Sequence, residues 1–155
     1  MRLKPYVEER DDKGMDNGIK LHFDVAGDNF IEAGNASGQV KKTLSQLGVD
    51  PSVIRRVAIA MYEGEINMVI HANGGFADVE ITSESIRVVL EDNGPGIPNI
   101  DLAMTAGYST ATDQARELGF GAGMGLPNMA SYTDELKVTS ELGVGTRVEL
   151  VVKIV

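Results

Sequence analysis

Ile19-Lys20-Leu21-His22-Phe23-Asp24-Val25 alternates apolar and polar residues, the period of a half-buried strand. His22 falls on its polar side and reads as a surface histidine. The preceding residues, 1–18, are charged and show no period, which predicts a flexible tail before a domain spanning 19–155. Asp28 or Asn29 is placed to cap a helix over about 30–47, weakened by Gly34 and Gly38 and stopped by Gly48. Asp50 followed by Pro51 opens a second helix, expected over about 52–72. Along it Glu63, Asn67 and His71 recur every four residues and form one polar stripe. Ile59, Ile66 and Ile70 fall on or near its apolar side, with Ala58 and Met61 as filler, and Glu65 points away from the stripe. Gly64 inside this helix costs roughly 1 kcal/mol relative to alanine, which close packing or close approach of a ligand would explain.

Past Asn73-Gly74-Gly75 the period returns to two, giving strands over 77–82 and 85–91 joined near Ser83-Glu84. Pro98 and Asp101 open a short helix to about 106. Residues 107–124 form a long loop rich in glycine and hydroxyl side chains, of the kind that in a compact domain is functional or disordered. A helix over 125–133 and strands over 135–140 and 146–154, turned by Leu142-Gly143-Val144-Gly145, complete the pattern.

The chain has 155 residues, enough for one domain with a real core. A net charge of −9 argues against nonspecific nucleic-acid binding and against anionic membranes; it suits a basic partner or serves only solubility. Cysteine is absent, so disulfides and thiolate metal sites are excluded, as fits a cytoplasmic protein. Neither an apolar run long enough to span a membrane nor a secretory leader is expected.

Four stretches carry candidate chemistry. Glu63 and Asn67 place a carboxylate and an amide oxygen one turn apart, able to hold a hard cation and a polarised water, or to form an ordinary solvated face. Asp92-x-Gly94-x-Gly96 follows a strand; the carboxylate can accept from an exocyclic amine, and the glycines allow close approach, although the same residues also make a plain turn. Gly119-x-Gly121-x-Gly123-x-Gly125-Leu126 runs into a helix, where exposed backbone N–H groups can bind phosphate oxygens, although the same run also suits a flexible linker. It is neither a Walker loop nor a dinucleotide fingerprint. Ser109, Thr110 and Arg116 lie in the same loop; Arg116 could reach a γ-phosphate or stay a solvated charge. Gly145-Thr146 opens the last strand, where the hydroxyl could bond a base directly or through water, or simply favour β structure.

In this order the pieces resemble the GHKL ATPase superfamily, which includes gyrase, mismatch-repair ATPases and histidine kinases. The small size and the runs Gly107-Tyr108-Ser109-Thr110, Gly125-Leu126-Pro127 and Asp134-Glu135-Leu136 look like the anti-sigma-factor serine/threonine kinases and related switch kinases. The resemblance implies an α/β (α+β) two-layer sandwich, a Bergerat-type mixed sheet with helices on one face and a mobile ATP lid, which the order of strands and helices fits. It implies ATP and Mg2+ as ligands, Asn67 as the magnesium ligand and Glu63 as the general base. Asp92 would bind the adenine amino group, Gly94 and Gly96 would shape the base pocket, Gly121, Gly123 and Gly125 would hold phosphates, and Thr146 would help hold adenine. Two features depart from the small kinases: Ala111 to Leu118 lengthens the lid, and Gly64 interrupts the base-bearing helix. No dimerisation helix with a phosphoacceptor histidine is expected.

The expected activity is transfer of the ATP γ-phosphate to a serine or threonine of a protein partner, resembling an anti-sigma-factor antagonist or a sigma factor, with a homodimer in keeping with the relatives. The alternatives are a nucleotide-gated binding module, or a slow ATPase, that transfers nothing.

Overall fold

The computed structural model describes residues 6–9, 18–27, 32–72, 74–104 and 125–154. The chain runs β1 (Tyr6–Glu9), β2 (Ile19–Ala26), α1 (Asn35–Gln46), α2 (Pro51–His71), β3 (Gly74–Ile81), β4 (Ser85–Asp92), α3 (Ile100–Ala103), α4 (Gly125–Ser131), β5 (Glu135–Glu141) and β6 (Gly145–Lys153). One six-stranded sheet has the order β1-β2-β3-β4-β6-β5.

Period-two alternation turns one face of that sheet into the core. Leu21, Val79, Val88 and Leu150 lie opposite one another across β2, β3, β4 and β6, and so do Phe23, Ala77, Leu90 and Val148. Both rows are buried. The opposite face carries matching polar rows, such as Lys20, Glu80 and Arg87, and His22 with Asp78. There His22 bridges Asp78 and Asp24 through its two ring nitrogens and stacks on Phe76. It is the surface histidine its strand position implies.

The expected α+β sandwich forms, but every ladder is antiparallel, where a mixed sheet was expected. The reason lies in the connections. Two antiparallel helices, α1 and α2, return the chain from the end of β2 to the same end of the sheet, where Ala26 pairs with Gly74. The expected tail is also corrected in part. Tyr6–Glu9 pairs with β2 from Glu9 opposite Ile19 to Tyr6 opposite His22. An edge strand of four residues is held by main-chain hydrogen bonds and needs no side-chain period.

The second helix starts as its residues dictate. Asp50 accepts from Ser52 N at 2.8 Å and from Ser52 Oγ at 2.7 Å, with Pro51 in the first turn. Its buried face is broader than the isoleucines suggest: Val57, Ala60, Met61, Gly64, Met68 and Val69 enter the core, while Ile59 and Ile70 are only half-buried. Gly64 is explained by packing. A Cβ there would lie 2.6 Å from Leu90 Cδ1 and 3.1 Å from Met129 Cε, so its absence lets α2 settle on β4 and α4.

α1 starts at Asn35, later than expected; Asp28 and Asn29 lie outside the described residues. Its cap Gly34 has φ 97° and offers no side chain. Glu65 supplies the missing cap from α2. Its Oε2 accepts from Gly34 N at 3.0 Å and Ala36 N at 3.1 Å, and Oε1 accepts from Ser37 N at 3.0 Å. Glu65 is 0% exposed, a buried carboxylate set at the positive end of a helix. Gly48 (φ 75°) closes α1 as expected. Gly74 and Gly75 open β3 instead of merely ending α2, because a Cβ on either would meet a neighbouring carbonyl at 2.1 Å.

Candidate functional site

The candidate residues gather along α2 and the nearby end of the sheet. β4 delivers Asp92 to that end on the helix-covered face, two residues beyond the buried Leu90. Asp92 Oδ1 accepts from Gly94 N at 2.9 Å and from Thr146 N at 3.2 Å. The carboxylate is thereby fixed, with its second oxygen uncommitted by these bonds. Gly94 lies against the end of α2, where a Cβ would fall 2.5 Å from Ala72 Cβ. Gly96 has φ 83°, and a Cβ would meet Glu141 O at 2.6 Å. Gly145 has φ 146°, and a Cβ would lie 2.0 Å from Asp92 O. These glycines are needed because three backbone segments meet where side chains would keep them apart.

Further back along α2, Asn67 faces the start of α4. A Cβ on Gly125 would come within 3.1 Å of the Asn67 amide, so the helix that leaves the glycine run passes directly over it. One turn on, Glu63 Oε1 accepts from Asn128 Nδ2 at 3.4 Å. Burial raises the Glu63 pKa above the ordinary carboxylate value, and the Asn128 hydrogen bond opposes that rise. Burial lowers the pKa of His71, and the negative charge of Asp92 opposes that fall. From Glu63 to Ala72 the helix rises about 13 Å at roughly 1.5 Å per residue. The contacts follow in order: Asn128 at Glu63, Gly125 at Asn67, and Gly94 with Asp92 at the C-terminal end.

The donor set suits a nucleotide with a hard cation. Asn67 offers one neutral oxygen, and among the described residues no group of three His, Cys, Asp or Glu side chains could hold a metal ion. A cation here would take its remaining ligands from phosphate and water, a pattern magnesium accepts. At the other end, Asp92 presents a fixed carboxylate acceptor among glycines that allow close approach.

Of the expected site residues, Glu63, Asn67, Asp92, Gly94, Gly96, Gly125 and Thr146 come together. Leu126 turns its side chain into the core, leaving only its backbone for a ligand. Ser109, Thr110, Arg116, Gly121 and Gly123 lie outside the described residues. Two participants escaped the sequence reading. Asn128 shares a face of α4 with Gly125, three residues before it, a spacing that could have shown it. Ser140 is polar at an inward strand position, in step with Leu136 and Val138, which is the signal that could have found it.

This sheet-and-helix arrangement, with its motifs at one end of the sheet, is that of the GHKL class. The profile described as "Histidine kinase-, DNA gyrase B-, and HSP90-like ATPase" matches residues 52–155, and the chain belongs to that family. It is 32% identical over 137 residues to an anti-sigma F factor of Clostridium kluyveri, covering 85% of this chain and 91% of that one. It is 28% identical over 127 residues to the serine/threonine-protein kinase RsbT of Bacillus subtilis, covering 79% of this chain and 87% of that one. A solved structure of the RsbU and RsbW domains of Rv1364c from Mycobacterium tuberculosis shares the fold, with TM-score 0.57 and 18% identity. That match covers 86% of this chain and 32% of the other. Within this ATPase family the chain is thus similar to anti-sigma F factors and to a serine/threonine-protein kinase. Among the described residues no helix is long and apolar enough to cross a membrane.

Proposed function

We propose that this protein binds Mg·ATP and transfers the γ-phosphate to a serine or threonine of a small regulatory protein in the cytoplasm. The observation that carries this reading is the half-buried Glu63, one helical turn from Asn67 and at the far end of the site from Asp92. A carboxylate whose pKa burial has raised is a stronger base than an exposed one. Glu63 would take the hydroxyl proton as the acceptor oxygen bonds to phosphorus and the bond to the β-phosphate oxygen breaks, leaving ADP. Asn128 would hold the carboxylate, Asn67 would hold the cation, and Asp92 with Thr146 would hold adenine. Gly121, Gly123 and Gly125 would receive the phosphates through backbone N–H groups, with Ser109, Thr110 and Arg116 in the same loop. Bound magnesium would neutralise phosphate charge, so the protein supplies mainly position and electrostatics.

The relatives' names support the choice of partner. The serine/threonine-protein kinase name supports a protein acceptor, which we take to resemble an anti-sigma-factor antagonist, and the anti-sigma F factor name supports a sigma-factor-like partner, which in the alternative reading is held without transfer. That second reading makes the protein a nucleotide-gated binder, functioning as a homodimer or alone.

The test is titration calorimetry with ATP and ADP, with and without magnesium, followed by γ-labelled ATP and a candidate acceptor. Magnesium-dependent ATP binding that Asn67→Ala weakens is expected. Glu63→Gln should keep ATP affinity within about threefold while transfer drops by roughly 100-fold or more. Equal labelling by that variant would remove Glu63 as the base, and ADP accumulating with an unlabelled partner would leave an ATPase or a gated binder.

A further inference from the structure

Ser140 joins the two halves of the base end, although none of the sequence motifs contains it. Its Oγ accepts from Ile97 N at 2.7 Å, donates to Gly145 O at 3.1 Å, and lies 2.9 Å from Thr146 Oγ1. The Ile97 contact holds the Asp92-Gly94-Gly96 loop against the end of β5. Gly143 N, donating to Pro95 O at 3.0 Å, secures the same loop to the β5–β6 turn. The Gly145 and Thr146 contacts hold the first residues of β6. Ser140 is half-buried, and both segments it joins also touch Asp92.

Donor counting then fixes a direction. A serine hydroxyl has one proton and two lone pairs. The proton of Ser140 goes to the Gly145 carbonyl, and one lone pair receives the Ile97 N–H. Its remaining capacity toward Thr146 is as an acceptor, so the Thr146 hydroxyl is the donor in that pair. The Thr146 oxygen therefore keeps its lone pairs for a ligand. Thr146 N donates to Asp92 Oδ1, which places this hydroxyl at the same corner as the carboxylate. Both groups at that corner are acceptors. An amino group on a base satisfies them, and a carbonyl at the same position sets acceptor against acceptor.

We infer that Ser140 is a positioning residue for base selection: it clamps the glycine loop to the start of β6 and orients the Thr146 hydroxyl as an acceptor, favouring a 6-amino over a 6-oxo purine nucleotide. The inference rests on the nucleotide reading above and adds to it a residue acting through Thr146 and the loop, not by touching the base.

The test compares ATP with inosine triphosphate, which carries oxygen in place of the amino group, by calorimetry on the full chain with magnesium. Ser140→Ala should reduce the preference for ATP by about tenfold, the effect of one net hydrogen bond, and Ser140→Thr should restore it. Thr146→Val keeps the side-chain shape without the hydroxyl and should lose preference similarly. It serves as the measurement should Ser140→Ala fail to fold by circular dichroism. Wild-type preference in folded Ser140→Ala, or in Thr146→Val where Ser140→Ala is unfolded, overturns the role of Ser140. Wild-type protein that binds neither nucleotide overturns the nucleotide reading beneath it, and Asp92→Asn that binds ATP as well as wild type overturns the placing of the base at this corner, each recognised separately.

Discussion

Replacing Glu65 by alanine should destabilise the protein more than any change at the candidate site. Glu65 is fully buried, and its two oxygens accept from three backbone N–H groups at the start of α1. Those donors belong to Gly34, Ala36 and Ser37, and the cap position itself has no side chain to replace the carboxylate. Leaving a buried donor unpaired costs about 1–3 kcal/mol, so three donors set a range of roughly 3–9 kcal/mol. Fraying of the first turn and entry of water relieve part of this, which brings the expected loss to about 4 kcal/mol. For a domain of this size that corresponds to a fall in Tm of about 12 °C, at roughly 3 °C per kcal/mol. Glu65→Gln keeps the volume but offers one acceptor oxygen and turns an NH2 toward at least one backbone N–H, so about half that loss is expected. Urea unfolding followed by circular dichroism measures both, with hydrogen exchange at residues 34–38 reporting the helix end. A loss below about 1 kcal/mol for the alanine variant, with normal protection at those amides, would show that the helix does not depend on this carboxylate.

Gly64→Ala gains about 1 kcal/mol of helix propensity but pushes a methyl group to 2.6 Å from Leu90 Cδ1, and overpacking of this kind costs about 1–3 kcal/mol. A net loss up to about 2 kcal/mol is expected, reduced when Leu90 is shortened to alanine in a double-mutant cycle. Gly145→Ala forces a Cβ to 2.0 Å from the Asp92 carbonyl at a φ of 146°, so nucleotide affinity in calorimetry should fall at least tenfold, through Asp92 displacement. For His22, burial lowers the pKa, but the hydrogen bonds and charges of Asp78 and Asp24 outweigh it and raise the value above that of the unfolded chain. Its contribution is therefore full below about pH 6.5 and disappears as pH rises through the folded value, and His22→Gln should flatten that part of the stability–pH curve measured by urea titration.

Local chemistry was legible in the residues themselves. Strand β2 follows from strict alternation, the start of α2 from Asp50-Pro51, and the Glu63-Asn67-His71 stripe from 3.6 residues per turn, because each depends on neighbours within a few positions. The order of motifs sufficed for the family, and the family profile bears this out. What distant segments do to one another was not legible. Glu65 caps a helix 28–31 residues away, Ser140 holds a loop 43 residues away, and Asn128 meets Glu63 across 65 residues. A residue type advertises which hydrogen bonds it can make, but only packing selects the partner. Gly64 appeared as a cost to its helix and proved to be the gap into which Leu90 and Met129 fit. Local periods and caps were enough for the inner strands, the start of α2 and the chemical groups on offer; folding sets the edge strand β1 and which buried donors and acceptors those groups satisfy, because that pairing depends on the approach of backbones that no local period records.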